Sequence, residues 1–96
     1  MPGWILDSRD PELILRLPAG TKKTVGRALP ADFIVDAALV SRVHCRLDAG
    51  KQDGLGVEDL GSTNGTLVNG EPVERAVLQT GDVLTIGRVA FTVLPG

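Results

Sequence analysis

The chain is short of cysteine, histidine, aromatic rings and positive charge, and each shortage narrows what it can be. One cysteine among 96 residues cannot close an internal disulfide, so nothing points to an oxidising compartment. One histidine cannot build a zinc site, which needs three or four ligands, and neither a metal nor a cofactor is implied. Three aromatic residues and a net charge of −2 leave neither the stacking rings nor the basic patch that a nucleic-acid surface needs. No apolar run approaches the length of a membrane span, and residues 1–6 lack the basic start and apolar middle of a signal peptide. The expected setting is intracellular, with the cytoplasm as the default, and neither nucleic acid nor membrane is the expected partner. Any anion bound here must be held by a local site.

What is abundant is turn chemistry. Twelve glycines and six prolines favour many short strands over long helices. An apolar fraction of 43% argues for a folded chain, and the length suits one domain over residues 1–96 with a core between 4 and 94. Trp4-Ile5-Leu6 and Leu13-Ile14-Leu15-Arg16-Leu17 read as strands, the second with Leu13, Leu15 and Leu17 on one face, separated by a turn over 7–11. Thr24-Val25-Gly26 is a third, and Arg27 sits where it runs out. Asp32 could cap a helix, but Phe33-Ile34-Val35 suits a sheet better, leaving 36–41 as loop. His44-Cys45-Arg46-Leu47 alternates, with Cys45 and Leu47 facing the core. Residues 55–59, Thr66-Leu67-Val68, Glu71-Pro72-Val73, 82–86 and 89–94 complete about ten strands. Ten short strands with no convincing helix predict an all-β sandwich of two antiparallel sheets. Both ends stop just beyond a strand, as in one domain of a larger protein.

One stretch stands apart. From Leu60 to Gly70 the chain packs three glycines, two Asn-Gly pairs and three hydroxyls into eleven residues. Asn69-Gly70 is plain hairpin chemistry, since both residues tolerate positive φ. Ser62, Thr63 and Asn64, ahead of Gly65, instead put three hydrogen-bonding side chains at one tip.

Gly26-Arg27, Ser41-Arg42-Val43-His44, Gly61-Ser62-Thr63-Asn64-Gly65-Thr66, Val68-Asn69-Gly70 and Gly81-Asp82-Val83-Leu84-Thr85-Ile86-Gly87 with Phe91 occur in this order. Together they resemble the forkhead-associated (FHA) domain pattern, over nearly the whole chain. The resemblance implies an eleven-stranded sandwich whose loops at one end read phosphothreonine segments of partner proteins in Ser/Thr-kinase signalling. It implies that Arg27 and Ser41 contact the phosphate, that Thr63 lies beside it and that Asn64 hydrogen-bonds the ligand backbone, with Arg42 adding charge. It makes Gly26, His44, Gly65, Asn69 and Gly70 supports of the site. The residue types fit the chemistry. A phosphate carries about −1.5 to −2 charge and three acceptor oxygens, so a guanidinium fork, a short hydroxyl and backbone N–H groups suit it. Flanking specificity is expected from the loops 28–31, 36–40 and 52–54, while Gly87-Arg88 reads as a mere turn.

Two rivals remain open on the sequence. Ser41, His44 and Asp59 are the residue types of a hydrolytic triad, although no nucleophile elbow presents the serine. The other is an FHA-fold scaffold that binds a protein independently of phosphorylation.

Overall fold

Alternation of inward and outward side chains builds both sheets. In the computed structural model, which describes residues 3–96, β1 (Trp4–Arg9) and β2 (Glu12–Leu17) form a hairpin. Leu6, Leu15 and Leu17 face the core, while Ile14 and Arg16 face out. The turn read over 7–11 shrinks to Asp10-Pro11, because Asp7, Ser8 and Arg9 pair with Ile14, Leu13 and Glu12. Cross-strand pairing there outweighs the poor strand propensity of single residues.

Six strands make the first sheet, in the order β2-β1-β11-β10-β7-β8. Its remaining members are β7 (Thr66–Val68), β8 (Glu71–Val73), β10 (Val83–Ile86) and β11 (Val89–Pro95). The second sheet runs β4-β3-β5-β6-β9, from β3 (Lys22–Gly26), β4 (Phe33–Ile34), β5 (Cys45–Asp48), β6 (Leu55–Asp59) and β9 (Arg75–Leu78). Leu6, Leu17, Phe91 and Val93 of the first sheet meet Val25, Leu47, Leu55 and Leu78 of the second in one fully buried core. Burial pushes the Cys45 thiol up to about 12, and Asp59 nearby adds to the effect, so this side chain is an inert core residue. Among the described residues no helix is long and apolar enough to cross a membrane.

The sandwich read from the sequence is present, with three differences. An eleventh strand, β9, escaped the pattern reading because Arg75 and Ala76 hide its alternation, yet its Leu78 is wholly buried. The sheets are not purely antiparallel: β4 lies parallel to β3, with Val25 opposite Phe33 and Gly26 opposite Ile34. Asp32, a possible helix cap on the sequence, causes this. Its carboxylate accepts from the Thr24 amide at 2.8 Å and its own amide donates to Thr24 Oγ1 at 3.0 Å, folding the chain back beside the strand it has just left. Third, Val35 leaves β4 and drops into the core, its amide held by Gly26 O at 2.7 Å.

The topology gathers several loops at one end. β3 runs out at Gly26 where β5 begins at Cys45, and β6 ends at Asp59 opposite Cys45. β7 starts at Thr66 opposite Ile86, so the turn after β10 reaches the same end. Phe91 is the wholly buried aromatic side chain that fills the space between the sheets. Phe91→Ala should therefore cost about 3–5 kcal/mol, read as a lower denaturation midpoint in urea with an unchanged slope.

Candidate functional site

Two valines present the first loop. Val35 and Val40 are buried, and the Val40 amide closes on Ala37 O at 3.1 Å, so Ala38, Leu39, Ser41 and Arg42 project from an anchored arch. Gly26 lets β3 come close beneath it: a Cβ there would fall 2.0 Å from Arg42 O, an impossible contact. The gap is closed by main-chain bonds, Arg27 N to Ser41 O at 2.9 Å and Ala28 N to Arg42 O at 3.4 Å. Gly87 presses on the other side, where a Cβ would meet Leu39 C at 2.5 Å. Read from the sequence as a turn, it is also the rear wall of this loop. Nothing in the dipeptide Gly87-Arg88 signalled that, because the contact spans nearly half the chain.

The second loop, after β6, is built on Asp59. Its carboxylate collects the Ser62 and Thr66 hydroxyls, the latter at 2.8 Å, and the Gly61 and Ser62 amides at 3.1 and 3.2 Å. Ser62 Oγ in turn accepts from Gly65 N at 3.0 Å. Burial works to raise the Asp59 pKa, but these hydrogen bonds outweigh it and hold the carboxyl below the usual carboxylate value. Gly65, with φ of 87°, completes the turn.

His44 joins the loops. The alternation read from sequence turned it outward with Arg46, but it precedes the strand proper and is wholly buried under the two loops, while Arg46 is exposed. Its Nδ1 accepts from Ser41 N at 3.0 Å, and Nε2 lies 2.8 Å from Gly65 O. A ring nitrogen that accepts from an N–H carries no hydrogen, so the hydrogen sits on Nε2 and is donated to Gly65. Both nitrogens are thus spent on main chain. Ser41, His44 and Asp59 are not wired as a triad, because neither ring nitrogen is free for the Ser41 hydroxyl and Asp59 serves its own loop.

Arg27, Ser41, Arg42, Thr63 and Asn64 all line one open hollow of about 290 Å3, together with Ala38, Leu39 and Val40. Ser41 Oγ accepts from Thr63 N at 3.0 Å, which leaves its hydroxyl hydrogen available. Asn64 Nδ2 donates to Leu39 O at 3.0 Å, crossing between the loops and keeping its Oδ1 free of protein donors among the described residues. Arg27 reaches only Ala38 O, at 3.5 Å, and neither Arg27 nor Arg42 has an ion-pair partner among the described residues. Asn69 and Gly70 are not brought to the hollow. With φ of 51° and 84° they turn β7 into β8, and Asn69 clamps β10 through Val83 N at 2.8 Å and Asp82 at 3.1 Å. Their link to the site runs through β7. Asp59 and Ser62 were absent from the site read on the sequence; an Asp three residues ahead of Ser, at the end of a strand, was the available signal. Two unpaired guanidinium groups beside hydroxyl and amide groups can hold an anion.

Comparisons with known proteins place this geometry. A family model described as FHA domain matches residues 23–87. The glycogen accumulation regulator GarA of Mycolicibacterium smegmatis is 43% identical over 75 residues, covering 76% of this chain and 46% of GarA. The chain spans about half the length of the curated relatives it matches. Among solved structures, a chain from a study of phosphothreonine-dependent FHA domain interactions superposes with a TM-score of 0.86 at 30% identity, covering 98% of this chain and 97% of that one. Mycobacterium tuberculosis EmbR in complex with a low-affinity phosphopeptide gives 0.86 at 28% identity, covering all of this chain and 25% of EmbR.

His44→Ala should leave Ser41 N and Gly65 O without partners and open a cavity, costing on the order of 2 to 5 kcal/mol. The expected result is a lower Tm both with and without ligand. For Asp59 the sign follows from its depressed pKa. Its stabilisation is complete above the unfolded value of about 4 and is lost as pH falls through the folded value. Acid titration of unfolding should show a shallower loss below about pH 4 in Asp59→Asn than in the parent.

Proposed function

The chain belongs to the forkhead-associated (FHA) domain family, and on that premise we propose that its loop-end hollow reads phosphothreonine in a segment of a partner protein. The observation that carries this is the convergence of Arg27, Arg42 and the free Ser41 hydroxyl hydrogen on one hollow, with no carboxylate among the described residues to neutralise them. The phosphate sits between the Arg27 fork and Ser41, with Arg42 adding charge and Thr63 alongside. Asn64, already pinned to Leu39 through Nδ2, turns its free Oδ1 to the ligand backbone. His44, Gly26 and Gly65 hold these groups in place, and Asn69-Gly70 steadies the strand that follows.

The role is recognition within Ser/Thr-kinase signalling, and no cofactor takes part. It is a binding role and not an enzymatic one, a reading supported by the commitment of both His44 nitrogens to main chain. The chain acts as one domain of a larger protein, and a cytoplasmic setting suits its single buried thiol. EmbR, to which this chain is similar, forms a complex with a phosphopeptide, and this supports phosphopeptide recognition by the same fold.

The test is calorimetric titration with a matched set of peptides carrying phosphothreonine, phosphoserine or plain threonine. Affinity for the first should be roughly micromolar, about −8 kcal/mol, with no measurable binding of the last. The phosphoserine peptide should bind several-fold more weakly, since the missing methyl is worth about 0.8 kcal/mol of burial. Arg27→Ala should lose tenfold or more, because a charge-assisted bond is worth about 1.5–3 kcal/mol, and Arg27→Lys should restore part of it. Equal affinity for plain and phosphorylated peptides would refute the reading.

A further inference from the structure

A second concavity lies away from the loop end. About 610 Å3 lies open on the outer face of the five-stranded sheet, with no residue in common with the loop-end hollow. Strand register explains how it arises. On that face one cross-strand row runs Lys22, Asp48, Gly56, Val77, and the next runs Thr24, Arg46, Glu58, Arg75. Gly56 brings no side chain, so the first row has a gap at its middle. A Cβ there would lie 3.1 Å from Lys51 Cε and 3.3 Å from Asp48 Cβ, so Lys51 leans across the gap from the loop before β6.

The charge is lopsided. Four of the chain's ten cations line this groove against two carboxylates, although the whole chain is net −2. Both carboxylates are already engaged, Glu58 by Arg46 and Arg75 and Asp48 by the Gly50 amide at 2.8 Å. Lys22 and Lys51 have no ion-pair partner among the described residues. Val77, 40% exposed, supplies an apolar wall at the edge of the sheet.

We propose that this groove is a second binding site, for an unphosphorylated acidic segment of a partner protein. Its carboxylates meet Lys22 and Lys51 across the Gly56 gap, and an apolar side chain covers Val77. Charge complementarity selects the occupant. A second copy of the chain, docked groove to groove across a two-fold axis, would set cations against cations. No aromatic side chain lines the groove, so a single-stranded nucleic acid would find nothing to stack on. The site is independent of the phosphothreonine reading.

The test uses the full chain and a labelled glutamate-rich peptide with interspersed leucines, followed by fluorescence anisotropy at low and physiological salt. The parent should bind it, more weakly as salt rises, and should ignore the matched glutamine peptide. Lys22→Glu with Lys51→Glu should lose at least about tenfold while binding a phosphothreonine peptide as the parent does. If that pair melts below the parent, Lys22→Gln with Lys51→Gln removes the charge without repulsion and carries the comparison. Absent binding by the parent, unchanged binding by both double variants, or displacement by the phosphothreonine peptide overturns the proposal. So does equal binding of an oligonucleotide of the same charge, or a self-association that the variants abolish.

Discussion

A buried imidazole holds the loop end together. His44 has no solvent to satisfy its ring nitrogens, so each must find a partner in the protein. One partner is the amide of Ser41 in the first loop and the other is the carbonyl of Gly65 in the second, which makes the ring a spacer of fixed length between two segments far apart in sequence. Its main chain adds to this, with the amide on Val25 O at 2.8 Å and the carbonyl accepting Leu60 N at 3.0 Å. Four bonds from one residue therefore fix β3, β6 and both loops against one another. Ser41 and Thr63 can face the same hollow only because that spacing is rigid.

The carboxylates follow a complementary rule. Asp32, Asp59 and Asp82 each spend their charge on neutral donors, backbone amides and hydroxyl or amide side chains, and each has a depressed pKa. For Asp32 the Thr24 amide is the main cause, and for Asp82 the Gln79 amide; at Asp59 hydrogen bonds outweigh burial. Glu58 is the one described carboxylate that pairs with arginines, and it sits on the outer sheet face. A carboxylate within ion-pair distance of Arg27 or Arg42 would compete with any bound anion, and among the described residues none lies within that distance.

Local chemistry and long-range packing divided the work of specifying the fold. Strong alternation at 13–17, together with the Asn-Gly turn at 69–70, was readable because the signal lies within a few neighbouring residues. β9 was not, since Arg75 and Ala76 are poor strand formers and only pairing with β6 makes them extended. The parallel placement of β4 was equally hidden, for it rests on Asp32 meeting Thr24 eight residues back.

The sequence by itself determined the class of fold, the order of its motifs and the residue types of the loop-end site. It did so because period-two alternation and glycine-bearing turns are local, and because Arg27, Ser41, Thr63 and Asn64 stand in one recognisable series. Tertiary structure alone decided that these side chains share a hollow, that His44 is a buried brace and not an outward strand residue, and that Gly87 supports a loop nearly fifty positions away. It alone gathered Lys22, Arg46, Lys51 and Arg75 over the gap at Gly56. Each of these depends on strands separated in sequence being brought into register, and register is fixed by burying the shared core, a sum over the whole chain that no local window contains.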